Sequence, residues 1–320
     1  MGKILVIGAG GQLGTELTKA LSDKYGNDNV LATDFQAAVK SKFDYCTFQT
    51  LNVMDKAALD LIVTKEGVTQ IYHLAAILSA LGEKNPVQAW DLNMGGLLNV
   101  LEVAREHKID KVFWPSSIAV FGPNSDKENT PQNAFKDPNT VYGISKLAGE
   151  HWCEYYYNKY GVDVRSIRYP GLIGYKSLAG GGTTDYAVDI YHKALNAEKF
   201  TCFLEADTYL PMMYMDDAID ATLQLMDAPK ENISIRTSYN IAGMSFSPDE
   251  IYQSLLPYFP NFEIEYQPDF RQQIADSWPR SIDDSCAKAD WKWQPQYDLK
   301  AMTATIVDNL PKYFNYNLNK

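Results

Sequence analysis

Short apolar runs alternate with segments of helical period through the first half of the chain. Ile4–Ile7, Val30–Thr33, Gln70–Leu74, Lys111–Trp114 and Val164–Arg168 read as strands, and their near-continuous apolar character is that of strands buried on both faces. Between them, apolar residues recur every three or four positions from about Gln12, from about Asp55, from near Pro86 and through Val141–Tyr160, the spacing of helices with one buried face. Strand and helix in turn predict an α/β fold, a Rossmann-type doubly wound parallel sheet with helices on both faces. The alternation loosens after about residue 170, where Ser177–Asp185, Tyr209–Tyr214, Pro257–Pro268, Ser277–Pro279 and Trp291–Pro295 are rich in Gly, Pro and aromatic residues. The expected organisation is a first unit over residues 1–170, to which some later segments return, and a smaller, interleaved C-terminal lobe over 171–320 laid across the sheet's carboxyl edge.

Composition narrows the possible partners. Of 320 residues, 46% are hydrophobic and 22% charged, as in an ordinary globular protein. The formal charge of −11 argues against nucleic acid or an anionic membrane as main partner. No window reaches the roughly 18 apolar residues of a membrane span, and the run after Lys3 is too short for a signal sequence. Cys46, Cys153, Cys202 and Cys286 lie far apart, without metal spacing, which fits a reduced, cytoplasmic setting. His151 and Cys153 diverge on a helix at i and i+2, so no metal is expected, and His73 reads as structural.

The glycines of Gly8-Ala9-Gly10-Gly11-Gln12-Leu13-Gly14 follow the first strand and open the first helix. Spacing at 8, 11 and 14 permits a tight turn, close approach to a pyrophosphate and close helix packing, with the helix N-terminus supplying partial positive charge. Asp34 closes the second strand about twenty residues on, where a carboxylate binds ribose hydroxyls and repels a 2′-phosphate. NAD is therefore expected rather than NADP. Ser116 and Ser117 follow the strand Lys111–Trp114, and Tyr142 and Lys146 stand at i and i+4 on one helix face. A phenol is a poor base near neutrality unless a neighbouring cation favours phenolate. Tyr142 is thus a candidate general base with Lys146 lowering its pKa, and Ser117, or Ser116 beside it, a candidate to hold a substrate oxygen.

Together with His73-Leu74-Ala75-Ala76 and Arg168-Tyr169-Pro170-Gly171, these motifs resemble the extended branch of the short-chain dehydrogenase/reductase superfamily. Carried over residue by residue, the resemblance implies cofactor contacts at Gly8, Gly11, Gln12, Leu13, Gly14, Asp34, Phe35, Asn52, Val53, Leu74, Ala75, Ala76, Asn93, Tyr142, Lys146, Tyr169 and Leu172. Asn52-Val53 departs from the Asp-Val usual near the adenine. Residues 1–170 would then be the NAD-binding unit and 171–320 mainly the substrate lobe.

Five further stretches resemble the short-chain L-threonine 3-dehydrogenases: residues 113–122, 180–188, 209–217, 243–246 and 276–279. That resemblance implies oxidation of L-threonine at carbon 3, with Ser79, Ser117, Tyr142, Gly182, Thr183, Thr184 and Trp278 at the substrate. It also implies a homodimer packed through helices near 95–107 and 142–160, and a product passed to a glycine-forming ligase or acetyltransferase. Gly180–Gly182 would be the hinge of an active-site loop. A nucleotide-sugar epimerase on the same scaffold is the alternative, and a non-catalytic NAD-sensing regulator is disfavoured by the intact Ser117, Tyr142 and Lys146.

Overall fold

A computed structural model describes residues 2–314. The chain forms β1 (Lys3–Ile7), β2 (Val30–Asp34), β3 (Thr47–Thr50), β4 (Val68–His73), β5 (Lys111–Phe113), β6 (Ser116–Ser117) and β7 (Val164–Arg165). All but β6 lie in one parallel sheet of order β3-β2-β1-β4-β5-β7. Helices α1 (Gln12–Tyr25), α2 (Lys56–Glu66), α3 (Ser79–Gly82), α4 (Pro86–Glu106) and α5 (Val141–Tyr160) connect these strands. Their ends carry local signals. Asp55 caps α2 by accepting from the Ala58 N–H at 3.0 Å, Pro86 opens α4, and α5 runs from the Thr140 cap to left-handed Gly161.

The double burial of the sheet is visible residue by residue in β1. Ile4 and Val6 face a core shared with Leu17 and Leu21 of α1, while Leu5 and Ile7 face one shared with Leu97, Val100 and Leu101 of α4. β3 was not foreseen. It is a half-exposed edge strand, Thr-Phe-Gln-Thr, too polar to show an apolar run.

The second half adds β8 (Ile167–Tyr169), β9 (Gly171–Ile173), α6 (Tyr186–Leu195), β10 (Phe200–Cys202), β11 (Leu210–Tyr214), α7 (Met215–Asp227), β12 (Tyr239–Asn240), β13 (Met244–Phe246), α8 (Pro248–Leu255), β14 (Ile264–Tyr266), α9 (Phe270–Ser277), α10 (Ser285–Trp291) and α11 (Leu299–Tyr313). Met215, Ala218 and Leu225 of α7, with Trp291 and Trp293, pack onto the Ile4/Val6 face of the first sheet. Tyr186, Ile190, Phe246, Ile251 and Ile306 build a separate core with Trp278. No helix among the described residues is long and apolar enough to cross a membrane.

One expected strand is broken differently from the reading of the sequence. The run Val164–Arg168 is split at Ser166, whose carbonyl accepts from the Tyr239 N–H at 2.9 Å, so β7 stays in the main sheet while β8 turns away to pair with β6 and β12. Ser116 and Ser117 follow β5, as the sequence reading has it, but form a strand of their own. Pro115 has no N–H to continue the ladder, and the two serines form β6 beside β8.

A buried polar network holds this second layer. Arg168 donates from Nε and Nη2 to the two Glu150 oxygens at 2.8 Å each, and from Nη1 to the Gln132 carbonyl and Asn240 Oδ1 at 2.9 Å each. Ser116 Oγ donates to Glu150 at 2.6 Å. Replacing Arg168 by Met strands a buried carboxylate, so unfolding in denaturant should show a loss of about 3–5 kcal/mol; a loss below about 1 kcal/mol would show that the network carries little of the stability.

Candidate active site

The turn between β1 and α1 is built for close approach. Gly8 has φ +83°, and a Cβ there would come within 2.6 Å of the Ala75 nitrogen; a Cβ on Gly14 would come within 2.3 Å of the Gly8 carbonyl. Gly11 caps α1 with no side chain, which leaves the first N–H groups of a fourteen-residue helix aimed into the cleft for an anion. Buried Gln12 Nε2 beside them has no partner. Asp34 accepts from the Gly10 N–H at 2.9 Å and the Gln36 N–H at 3.0 Å, so the strand-end carboxylate also holds the glycine turn in place.

Tyr142 and Lys146 enter from α5. Burial raises the Tyr142 phenol to about 12, opposed by a hydrogen bond from Ser117. The expected lowering by Lys146 does not enter: burial raises the phenol and the Ser117 hydrogen bond opposes it. Burial also pulls Lys146 down to about 7, with Cys153 and Glu150 acting in the opposite sense. The ammonium lies 4.5 Å from the centre of the Trp114 ring and 5.5 Å from that of Tyr142, and donates to the Pro115 carbonyl at 2.5 Å. Of the two serines, Ser116 is committed to Glu150, and Ser117 is the one beside the phenol. Asn93 on α4 accepts from the Ile77 N–H at 2.8 Å and donates to Ser145 Oγ at 3.3 Å, while Ser145 in turn donates to the Tyr142 carbonyl at 2.8 Å. It ties α5 to the segment after β4.

The far end is made by the glycine run. Asp185 Oδ2 accepts from the Gly181 and Gly182 N–H groups at 2.7 Å each, and burial raises its pKa against those hydrogen bonds. Gly181 has φ +92°. Ser79 Oγ and Thr183 Oγ1 lie 3.3 Å apart, joining α3 to the loop, and the Thr184 side chain would be 2.7 Å from a Cβ on Gly171. A cleft of about 250 Å³ runs from Gly8, Gly11, Gln12, Leu13 and Gly14 past Leu74, Ala76, Ser116, Ser117, Tyr142, Lys146, Tyr169 and Leu172 to Ser79, Gly182, Thr183, Thr184 and Trp278.

Six expected cofactor residues lie off this cleft: Asp34, Phe35, Asn52, Val53, Ala75 and Asn93. Val53 packs against Gly96 in the core, and its carbonyl accepts from Asn99 at 2.9 Å. Asn52 folds its own turn by accepting from the Met54 N–H at 3.1 Å, which an aspartate also does. The Tyr169 hydroxyl points away, to Thr222 and Ala218. Leu78, Pro115, Ile118, Pro170, Gly171 and Asp185 line the cleft without having been assigned to it; Leu78 adjoins Ser79, and the other five lie inside the motifs and stretches read from the sequence.

The model of the NAD dependent epimerase/dehydratase family matches residues 4–242. The chain belongs to that family. A Staphylococcus saprophyticus family member, named as an uncharacterized epimerase/dehydratase, is 50% identical over 310 residues, 96% of this chain and 97% of the relative. Among solved family structures, the holo GalE-like L-threonine dehydrogenase of Cupriavidus necator is 55% identical, with TM-score 0.94 over 96% of this chain and 99% of that one. A monomeric L-threonine 3-dehydrogenase from a metagenome is 48% identical, with TM-score 0.93 over 97% and 99%. Family membership and the glycine cradle together mark the inner end of the cleft for a nicotinamide dinucleotide. Gly14→Ala should cost at least about a hundredfold in dinucleotide affinity by calorimetry with the fold intact by circular dichroism; unchanged affinity would remove the cradle from the site.

Proposed function

We propose that the protein oxidises L-threonine at its 3-hydroxyl with NAD, giving 2-amino-3-oxobutanoate in threonine catabolism. The observation that carries this reading is the make-up of the cleft's far end. Beyond Tyr142 it offers the hydroxyls of Ser79, Thr183 and Thr184 and the wall of Trp278, and Lys146 is the one basic side chain among the described residues that line the cleft. A few placed hydroxyls suit a small polar amino acid, whose orientation depends on hydrogen bonds rather than area. A nucleotide sugar brings a diphosphate, which calls for arginines or lysines; that composition disfavours the epimerase alternative. The solved relatives named above carry the dehydrogenase name over nearly their whole length.

In this reading Tyr142 takes the proton from the threonine hydroxyl, and Ser117 orients that oxygen. Lys146 stabilises the phenolate and bonds the nicotinamide ribose, while Ser116, held by Glu150, fixes the strand on which Ser117 sits. NAD, when bound, accepts the hydride from carbon 3. Asp34 serves the adenosine ribose hydroxyls, favouring NAD over NADP, and Gly182, Thr183, Thr184, Ser79 and Trp278 enclose the amino acid. The chain works in the cytoplasm, and its product passes to a glycine-forming ligase or acetyltransferase. As a homodimer it would pair through the helices near 95–107 and 142–160, the second of which exposes Ile144, Trp152 and Tyr155.

Purified protein with NAD and L-threonine should give NADH absorbance; a flat trace beside turnover of a UDP-sugar sinks the reading. Because burial holds the Tyr142 phenol high, the unprotonated base grows scarcer as pH falls, so kcat/KM should rise with pH from about 6 to 9. Tyr142→Phe should lower it about 10²–10⁴-fold and leave NAD binding intact, and a fully active variant excludes this tyrosine as the base.

Thr184→Ala tests the substrate end separately. Loss of one hydrogen bond should lower kcat/KM for threonine about tenfold with little change in NAD affinity. The reverse pattern would return the glycine run to a plain linker.

A further inference from the structure

Trp278 is the one residue beyond Asp185 that lines the cleft among the described residues, and its own helix holds it by one bond, from its N–H to the Ala275 carbonyl at 3.0 Å. It follows α9, an eight-residue helix whose last carbonyls need donors. The donor comes from far off in sequence. Lys127 Nζ donates to the carbonyls of Asp276 at 3.1 Å, Ser277 at 2.7 Å and Trp278 at 3.3 Å, and to that of Gly122 at 3.2 Å. A cation at a helix C-terminus is favoured by the helix dipole as well.

The contact is reciprocal. The Arg280 and Ser281 N–H groups donate back to the Lys127 carbonyl at 2.7 and 3.3 Å, and the Thr130 N–H donates to the Ser281 carbonyl at 3.0 Å. Gly122, the fourth carbonyl held, lies five residues past Ser117 in sequence. Two segments about 150 residues apart are thus fastened by backbone bonds from Lys127 onward and by the Lys127 ammonium; of these, the ammonium alone reaches the carbonyls of residues 276–278, where the second segment meets the cleft's outer wall.

We propose that Lys127 is a positioning residue: it sets Trp278 against the substrate end of the cleft and thereby limits the size of the 3-hydroxy amino acid that fits. Lys127 does not itself line the cleft. The inference rests on the threonine reading for its substrate class, and on the four carbonyl contacts for its geometry.

Lys127→Met keeps the aliphatic stem and removes the donors. KM for L-threonine should rise about tenfold with kcat within about threefold, the size expected for loss of one or two hydrogen bonds behind the site. The kcat/KM ratio of 3-hydroxynorvaline to threonine should rise about fivefold, the scale of one extra methylene in a looser pocket. NADH affinity should not move, amide exchange over residues 276–281 should quicken, and Lys127→Arg should restore most of the threonine KM. Trp278→Phe, which enlarges the same wall directly, should reproduce the shift in selectivity if the Met variant does not fold. A merely structural lysine predicts that kcat and KM for both substrates worsen in parallel with thermal stability, and that result overturns the proposal. If the wild-type protein does not turn over threonine, the substrate reading fails by itself, and unchanged exchange at 276–281 in the Met variant then refutes the positioning role independently.

Discussion

Burying a charge costs several kcal/mol unless every polar atom around it finds a partner, and the Arg168–Glu150 pair, both about 2% exposed or less, meets that condition. Its neighbours are the reason the rest of the site stands where it does. Arg168 belongs to β8, Glu150 to α5, Ser116 to β6, Asn240 to β12 and Gln132 to the long connection before α5. Glu150 is one turn beyond Lys146 and two beyond Tyr142, so the three share a helix face. Fixing Glu150 against Arg168 fixes the rotation of α5 and thus the direction in which the phenol and the ammonium point. The same pair claims the Ser116 hydroxyl, and since successive side chains of a strand point opposite ways, Ser117 is turned toward Tyr142.

Tyr142 and Lys146 are both pushed toward their less charged forms by the same cause. Desolvation raises the phenol, opposed by Ser117, and lowers the ammonium, opposed by Cys153 and Glu150. A site of this kind stores its chemistry as unmet electrostatic demand. Any positive charge brought near Tyr142 favours phenolate more strongly here than in water, because the surrounding dielectric is low. The arrangement of Lys146 over the Trp114 face and on the Pro115 carbonyl gives the ammonium partial compensation without a carboxylate in contact, so its charge is not cancelled by a direct ion pair.

How far the sequence could be read follows from where the physics is local. The glycine turn, the extents of α2 and α5 and the Tyr142–Lys146 spacing depend on neighbours along the chain, and they were legible. β3 was not, because an exposed edge strand needs no apolar run. The split of Val164–Arg168 depends on Ser166 meeting Tyr239, 73 residues away, and the choice between Ser116 and Ser117 depends on Glu150. Asn93 was placed by resemblance, yet its work, joining Ile77 to Ser145, is visible only in three dimensions.

The glycine run shows what a motif leaves undetermined. Three glycines before a helix suggest free N–H groups waiting for a substrate carboxylate, but Asp185 already takes those of Gly181 and Gly182. The loop therefore carries its own anion. A second carboxylate cannot use the same donors without displacing the first, and the raised pKa of Asp185 shows that its hold is opposed by burial. Under the threonine reading the amino-acid carboxylate must then rely on the hydroxyls of Ser79, Thr183 and Thr184, while Asp185 is near enough to the cleft to favour the ammonium end. The backbone of the glycine run curls around an aspartate, and Thr183 and Thr184 beside it line the cleft with Ser79.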